Sequence, residues 1–274
     1  MNERERDEHD NAPTNNADAE AKATDVEQAS DADDAARPLD EALRERLRAT
    51  AGQGERRTLT ALARELSQLP ADRARVALEV SAALAGVGLR VSRAFLRAVP
   101  AAARVLSADD LRAWGELGRR LASADAETGV SFFNAGVAEL RVVPEAARAL
   151  LFQICTRQLT LSTAVAIETF ARAPAIAQTT SDAELLTSVF NVTLEIARRS
   201  ATHSADFLNQ TPHVFAHLAK FETVQTKIAH AALALAAAFA VRAGGVASDL
   251  WATLPTATEN LSADQVLALF AQTE

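Results

Sequence analysis

The segment LRAWGELGRRLASADAETGVSFFNAGVAELRVVP, residues 111–144, contains the pattern that decides the predicted fold. Its apolar residues are three and four apart, on one face of a helix, and an aromatic residue follows eleven positions later: Trp114, Leu117, Leu121 and Phe132. Between them, Ser123 or Asp125 can accept hydrogen bonds from the first free amides of a second helix. The segment is therefore predicted to form a helical hairpin.

The same spacing recurs along the chain, with apolar residues at relative positions 1, 4 and 8 and a large apolar residue at position 19. The five units are Ala77, Val80, Leu84 and Phe95; Trp114, Leu117, Leu121 and Phe132; Phe152, Cys155, Leu159 and Phe170; Val189, Val192, Ile196 and Phe207; and Ala232, Leu235, Phe239 and Leu250. Position 19 is the most specific, because Phe occupies it in four units although only 11 of the 274 residues are Phe. A single hairpin cannot bury its apolar face alone, so neighbouring units should stack. We predict an all-α fold, an α-solenoid of about five 37-residue hairpins of the HEAT or armadillo kind.

Prolines follow position 19 by four or five residues in four units, as Pro100, Pro174, Pro212 and Pro255. Because proline lacks an amide hydrogen and clashes with the preceding turn, the second helix of each unit should end or kink there. The apolar segments that follow, such as residues 101–106 and 213–221, are predicted to form a third short helix.

The chain divides into three parts. Residues 1–37 hold twelve acidic and four basic residues, so they carry the whole net charge of −8 and leave the remainder neutral. Because they contain too little apolar surface to offset the entropy of ordering, they are predicted to be a disordered acidic tail, and their composition is not that of a signal peptide. Residues 38–73 are predicted to form N-terminal capping helices, the first beginning at Asp40, and residues 74–274 to form the repeats. LSADQVLAL, from Leu261, repeats LSADDLRAW, from Leu106, which predicts an incomplete sixth unit at the C-terminus.

The capping helices are rich in arginine, with eight arginines and four acidic residues between positions 44 and 75. A solvated outer face fits this pattern, and so does a binding site for an acidic segment, including residues 1–37. The candidate partner-binding residues are Arg44, Arg46, Arg48, Arg56, Arg57 and Trp251.

Common catalytic and cofactor motifs are missing from the sequence, which has no GxxxxGK, GxGxxG or GxSxG pattern and no cysteine pair. Cys155 occupies a repeat position that is apolar in other units, so it is predicted to be buried, and a lone cysteine agrees with a reducing cytoplasm. The longest apolar run, residues 231–241, falls short of the roughly twenty residues that span a bilayer and is predicted to be a buried helix. Gly244 and Gly245 are expected to break a helix. We predict a cytoplasmic, non-enzymatic protein that needs no cofactor and binds protein partners.

Two alternative functions remain. His213 and His217 are four residues apart, so on a helix they could offer two nitrogens to a metal and form the centre of a metal-dependent enzyme, with Glu222 or His230 as a third ligand. Exposed or capping histidines fit the same spacing. A nucleic-acid-binding repeat protein is the third reading, although such proteins need a basic stripe and the predicted repeats are neutral.

One unit also resembles a known family. Trp114, Leu117-Gly118, Leu121-Ala122 and Phe132-Phe133 resemble the helical repeats that precede the von Willebrand factor A domain in bacterial proteins similar to the nitric oxide reductase activation protein. Where that family would have Ser-Pro after the paired Phe, this chain has Asn134-Ala135-Gly136, and a DxSxS motif is absent. The resemblance implies an accessory or scaffold role in assembling or activating a larger complex, beside a von Willebrand factor A domain protein or an ATPase.

Overall fold

The structure, a computed structural model, describes residues 41–42, 44–46, 48–49 and 56–271, except for the side chains of residues 56–59 and 223. Within these residues the fold is all-α, as predicted, and it contains no strand. The tail at residues 1–37 and the cap at Asp40 lie outside the described residues. None of the described helices is long and apolar enough to cross a membrane.

Twelve α-helices and two short 3₁₀ helices make up the described part of the chain from residue 56. They are α1 (Arg56–Leu66), α2 (Ala71–Val87), α3 (Leu89–Ala102), α4 (Ala108–Ala124), α5 (Ala126–Ala135), η1 (Ala138–Val142), α6 (Glu145–Leu159), α7 (Thr163–Ala177), α8 (Ala183–Ala197), α9 (Ala201–Leu218), η2 (Ala219–Val224), α10 (Gln225–Ala240), α11 (Gly244–Ala257) and α12 (Ala263–Ala271). Residues 41–42, 44–46 and 48–49 are also helical, in agreement with the first predicted capping helix.

The helices pack in two rows. The first row contains α2, α4, α6, α8, α10 and α12, and each of these helices packs against the next one in the row. Each of the first five also packs against the helix that directly follows it in the chain. In the second row, α3 packs against α5, and α7, α9 and α11 pack in series. Helices α5 and α7 share few direct contacts, and η1 packs against α7 instead. The second row is therefore interrupted between α5 and α7.

The predicted repeat positions form the core of the first four units. Every template residue there is buried except Leu159, which is half-buried. The aromatic residues at position 19 also connect neighbouring units, since the ring centroids of Phe132 and Phe170 are 5.0 Å apart. Burial of these apolar faces is the main force that holds the hairpins together.

The predicted alignment of the fifth unit is wrong by one residue. Phe239 is 39% exposed, and Leu235 and Leu250 are only half-buried. The buried residues with the template spacing are instead Leu233, Ala236, Ala240 and Trp251. Every residue from 231 to 241 is apolar, so the spacing alone fits two registers. The prediction of a buried helix holds for one face of α10 only, because Phe239 lies on its open face.

The prolines lie inside the second helices and do not end them. Helix α3 continues two residues beyond Pro100, whereas α9 continues six residues beyond Pro212. A proline near the end of a helix removes one amide donor while the remaining hydrogen bonds continue the helix. The third helix predicted at residues 213–221 is therefore not a separate α-helix. Residues 213–218 extend α9, and the short 3₁₀ helix η2 follows.

Side-chain caps fix the start of several helices. Asp125 caps α5 as predicted, accepting hydrogen bonds from the amides of Glu127 and Thr128, whereas Ser123 donates to the Arg119 carbonyl. The repeated Ser-Ala-Asp motif has one role at both places: the hydroxyls of Ser107 and Ser262 accept from the amide three residues on. Gly244 and Gly245 open α11, and the break precedes them at residues 241–243.

Candidate partner-binding groove

A groove of about 720 Å³ opens where the second row is interrupted, between α5, η1 and α7. We call it the Gly136 groove. Its lining residues are Asp125, Glu127, Thr128, Ser131, Phe132, Ala135, Gly136, Val137, Ala138, Glu139, Leu140, Ile167, Phe170, Ala171 and Pro174. The groove thus draws on residues of the second and third predicted units.

The groove exists because α5 is short. Helix α5 has ten residues, whereas α3, α7, α9 and α11 have between 14 and 18. Its C-cap, Gly136, has φ 71° and ψ −167°, a conformation that is essentially restricted to glycine. The other four units have a proline within one residue of the equivalent position, inside helices that continue. The chain instead turns away at Gly136 into η1, which leaves the groove open beside α7.

Apolar side chains form the floor of the groove. The rings of Phe132 and Phe170 meet there, and Phe170 also contacts Phe152, at a centroid distance of 6.0 Å. Ile167, on α7, is 37% exposed beside them. Covering an exposed aliphatic side chain beside two aromatic rings with another apolar group is energetically favourable, because it removes apolar surface from water.

Acidic residues lie along the rim. Asp125 accepts hydrogen bonds from the Thr128 hydroxyl at 2.6 Å and the Thr128 amide at 2.9 Å, and these bonds lower the pKa of its carboxyl. Glu139 is exposed, and Glu127 pairs with Arg90 at 3.2 Å, where both side chains face solvent. None of the lining residues is basic. The rim therefore favours positively charged groups over negatively charged ones.

The predicted arginine candidates lie elsewhere. Arg44 and Arg48 are exposed and Arg46 is half-buried, whereas the side chains of Arg56 and Arg57 lie outside the described residues. Arg44, Arg46 and Arg48 are not among the described residues that line the Gly136 groove.

Trp251, the remaining partner-binding candidate, lies in the core of the structure. Its side chain is only 1% exposed, stacks on Phe207 at 5.1 Å and donates a hydrogen bond to the Thr211 hydroxyl at 3.2 Å. The prediction that Trp251 binds a partner is therefore wrong in this structure, because the ring lies in the core.

The histidines of the alternative metal site are both on α9. His217 is half-buried with Nε2 2.9 Å from the Thr258 hydroxyl, and burial lowers the pKa of its imidazole. His213 is exposed. Among the described residues, no three His, Cys, Asp or Glu side chains lie close enough together to hold a metal ion, so neither Glu222 nor His230 completes such a group.

Cys155 is completely buried, as predicted, and burial raises the pKa of its thiol. The thiolate is the reactive form of cysteine, so this environment keeps the side chain unreactive.

A buried ion pair lies at the start of α4 and α6. Arg148 Nε is 3.5 Å from an Asp110 carboxylate oxygen, and the Arg148 guanidinium also donates to the Val105 carbonyl. Arg73 donates to the neighbouring Ala103 carbonyl at 2.7 Å. Burial raises the pKa of Asp110, and the positive charge of Arg148 opposes that shift. These arginines hold the turn between α3 and α4 in place, which is a structural role.

The Gly136 groove was not predicted from the sequence, although a signal for it is present. The second unit alone has a glycine where the others have a proline after position 19. No protein-family model matches the chain, and no curated protein or solved structure matches it.

Proposed function

We propose that the two rows of helices form an α-solenoid of five hairpins, and that the protein is a non-enzymatic scaffold that binds a segment of a partner protein in the Gly136 groove. The observation that supports this function is the combination of an apolar floor, formed by Phe132, Phe170 and Ile167, with an acidic rim. The resemblance of the second unit to repeats beside a von Willebrand factor A domain fits an accessory role in assembling or activating a larger complex.

The groove selects its occupant by charge and by shape. An apolar side chain fits the floor between α5 and α7, and lysine or arginine residues on either side of it fit Asp125 and Glu139 on the rim. We therefore propose as the occupant a short partner segment in which one or two large apolar residues are flanked by basic residues.

The rim favours binding over proton-transfer chemistry. The carboxylate of Asp125 already accepts three hydrogen bonds from the first turn of α5, and its lowered pKa keeps it ionised at neutral pH. A general base works best when its pKa lies near the operating pH. Asp125 is thus suited to fixed charge complementarity.

Selection from a random peptide display library tests this function, because the library presents many candidate segments at once. The selected peptides should contain a large apolar residue flanked by lysine or arginine. Ile167→Asp places a charge on the groove floor and should weaken their binding by about tenfold or more, since burying an unpaired charge is costly. Val246→Asp is the matched control, because Val246 is also exposed, at 48%, but lies on α11.

Glu139→Lys tests the rim separately and should weaken the same peptides, most strongly at low ionic strength. If the selected peptides are acidic, or if they bind the Ile167→Asp variant as tightly as the wild type, the groove is not the binding site that we propose.

A further inference from the structure

A second cavity, of about 420 Å³, lies on the first row of helices and is independent of the Gly136 groove. Arg120 on α4, Arg157 on α6 and Arg198 just after α8 all line it. Gln153 and Thr156, also on α6, line it as well. We call it the Arg157 pocket. An arginine on, or just after, each of three consecutive helices of the row thus lines the same cavity.

The arginines of the Arg157 pocket are only partly neutralised. Arg120 pairs with Glu116 at 2.9 Å, and Arg198 pairs with Glu195 at 2.6 Å. For Arg157, which is exposed, no acidic side chain of the described residues lies within ion-pairing distance. No acidic residue is among the described residues that line the pocket, so the three guanidinium charges are offset only by Glu116 and Glu195 outside it.

Arginines near the C-termini of helices also complement the helix dipole, which would account for one arginine on each helix. That effect acts within a single helix. It does not require side chains from three different helices to line one cavity, nor a glutamine and a threonine that line it with them.

We propose that the Arg157 pocket binds a phosphate group. A phosphate monoester carries nearly two negative charges and three acceptor oxygens, one for each guanidinium, whereas a carboxylate is satisfied by one arginine fork. Gln153 and Thr156 add neutral donors to the same anion. The group is carried by a phosphorylated side chain of a protein or by a free phosphate, which share this chemistry. The pocket and the Gly136 groove lie on different rows, so one molecule has room for two ligands.

NMR titration of the full-length protein tests the proposal with three probes: a Gly-phosphoserine-Gly peptide, the matching Gly-Glu-Gly peptide, and inorganic phosphate. The phosphoserine peptide should shift the amides of residues 153–160 and should bind at least about tenfold more tightly than the glutamate peptide. Phosphate binding as tightly as the peptide would identify free phosphate as the ligand, and tighter peptide binding would identify a phosphorylated side chain.

Three variants separate the pocket from general electrostatics. Arg157→Gln should weaken phosphoserine binding by about tenfold. Arg104→Gln, at an exposed arginine in the turn after α3, is the charge-matched control and should leave binding unchanged. Glu195→Gln frees Arg198 from its ion pair and should strengthen binding, an outcome that partial unfolding could not produce. Equal binding of the phosphoserine and glutamate peptides, or equal losses in the Arg157→Gln and Arg104→Gln variants, would overturn the proposal.

Discussion

Single aromatic residues anchor the second helix of each unit to its neighbours. In the fifth unit this residue is Trp251, which stacks on Phe207 of the fourth unit and makes an edge contact with Phe215 at 6.1 Å. Its indole N–H also has a partner, the Thr211 hydroxyl. The ring buries a large apolar surface, and the hydrogen bond of its N–H group fixes its orientation in the core.

Trp251 and the adjacent Leu250 test the register of the fifth unit. Trp251→Ala should lower the free energy of unfolding by about 3 to 5 kcal/mol, because it leaves a large cavity in the core. Leu250 is half-buried, so Leu250→Ala should cost under about 2 kcal/mol. Chemical denaturation of the two variants measures the difference, and a larger loss at Leu250 would restore the register predicted from the sequence.

Asp110 provides a test of pH dependence. Its folded-state pKa is raised from 3.8 by burial, so the folded chain holds a proton that the unfolded chain releases over the range just above pH 3.8. The free energy of unfolding contributed by this group therefore falls as pH rises through that range. Asp110→Asn removes the titration.

The free energy of unfolding should then be measured for both proteins at several pH values. Relative to the wild type, the value for the Asp110→Asn variant should increase as pH rises from below 3.8 to neutral. The constant cost of leaving Arg148 without its charge partner does not alter this trend. Glu116 and Asp125, whose pKa values are lowered, titrate in both proteins and cancel in the comparison. A difference that is flat with pH, or that shrinks, would contradict the raised pKa.

Individual residues in the repeat were predictable where apolar and polar positions alternate. Phe95, Phe132, Phe170 and Phe207 are buried as the spacing indicates. Trp251 was missed because residues 231–241 are apolar at every position, so periodicity could not distinguish two registers one residue apart. The ion pair of Asp110 and Arg148 was missed because the two residues are 38 positions apart and meet only when neighbouring units stack.

Individual helices differ chiefly in where they end, and α5 is the clearest case. Gly136 ends it in a backbone conformation that other residues adopt only with strain, yet a Cβ added there would meet no atom within 4 Å. Gly86, inside α2, has equally open surroundings and ordinary helical backbone. The pair therefore separates backbone conformation from steric space.

Gly136→Ala should lower the free energy of unfolding by about 1 to 3 kcal/mol, through backbone strain alone. Gly86→Ala should raise it by about 0.5 to 1 kcal/mol, because alanine loses less conformational entropy in a helix. Thermal denaturation of both variants checks the two signs. A stabilising Gly136→Ala variant would mean that the chain does not hold this turn in solution.

The end of α5 could have been noticed in the sequence but not interpreted. A glycine in place of the usual proline indicates that the second unit differs. The departure from the Ser-Pro that the suggested family resemblance leads one to expect falls at the same residues, Asn134-Ala135-Gly136. The sequence does not fix the direction in which the chain leaves a glycine, since many conformations are open to it. The resulting groove depends on that direction.

Charge is unevenly divided over the whole molecule. Residues 1–37 carry −8 and lie outside the described residues, whereas residues 38–274 are neutral. A tethered acidic segment acts at a high effective concentration on any basic surface within reach. Our prediction from the sequence remains that it competes with acidic partners for the arginines between residues 44 and 75.

Deleting residues 1–37 should leave the melting temperature nearly unchanged, because the segment has too few apolar residues to form part of a core. At low salt, NMR signals of residues 44–75 should shift on deletion and an acidic peptide should bind them more tightly. Both effects should fade at high salt, where the Debye length falls below the roughly 8 Å found at physiological ionic strength. Identical spectra with and without the segment at low salt would refute the competition.

The interrupted second row also has a mechanical consequence. The first row is continuous beside the gap between α5 and α7. Within the second row, the two sides of this gap are connected by η1 and by the contact between Phe132 and Phe170. A stretching or bending load on the molecule would therefore concentrate its deformation at this point, much as a rod yields where its cross-section narrows. In a single-molecule pulling experiment, the first rupture should separate the chain between α5 and α7, and a ligand seated in the groove should raise the force at which it occurs.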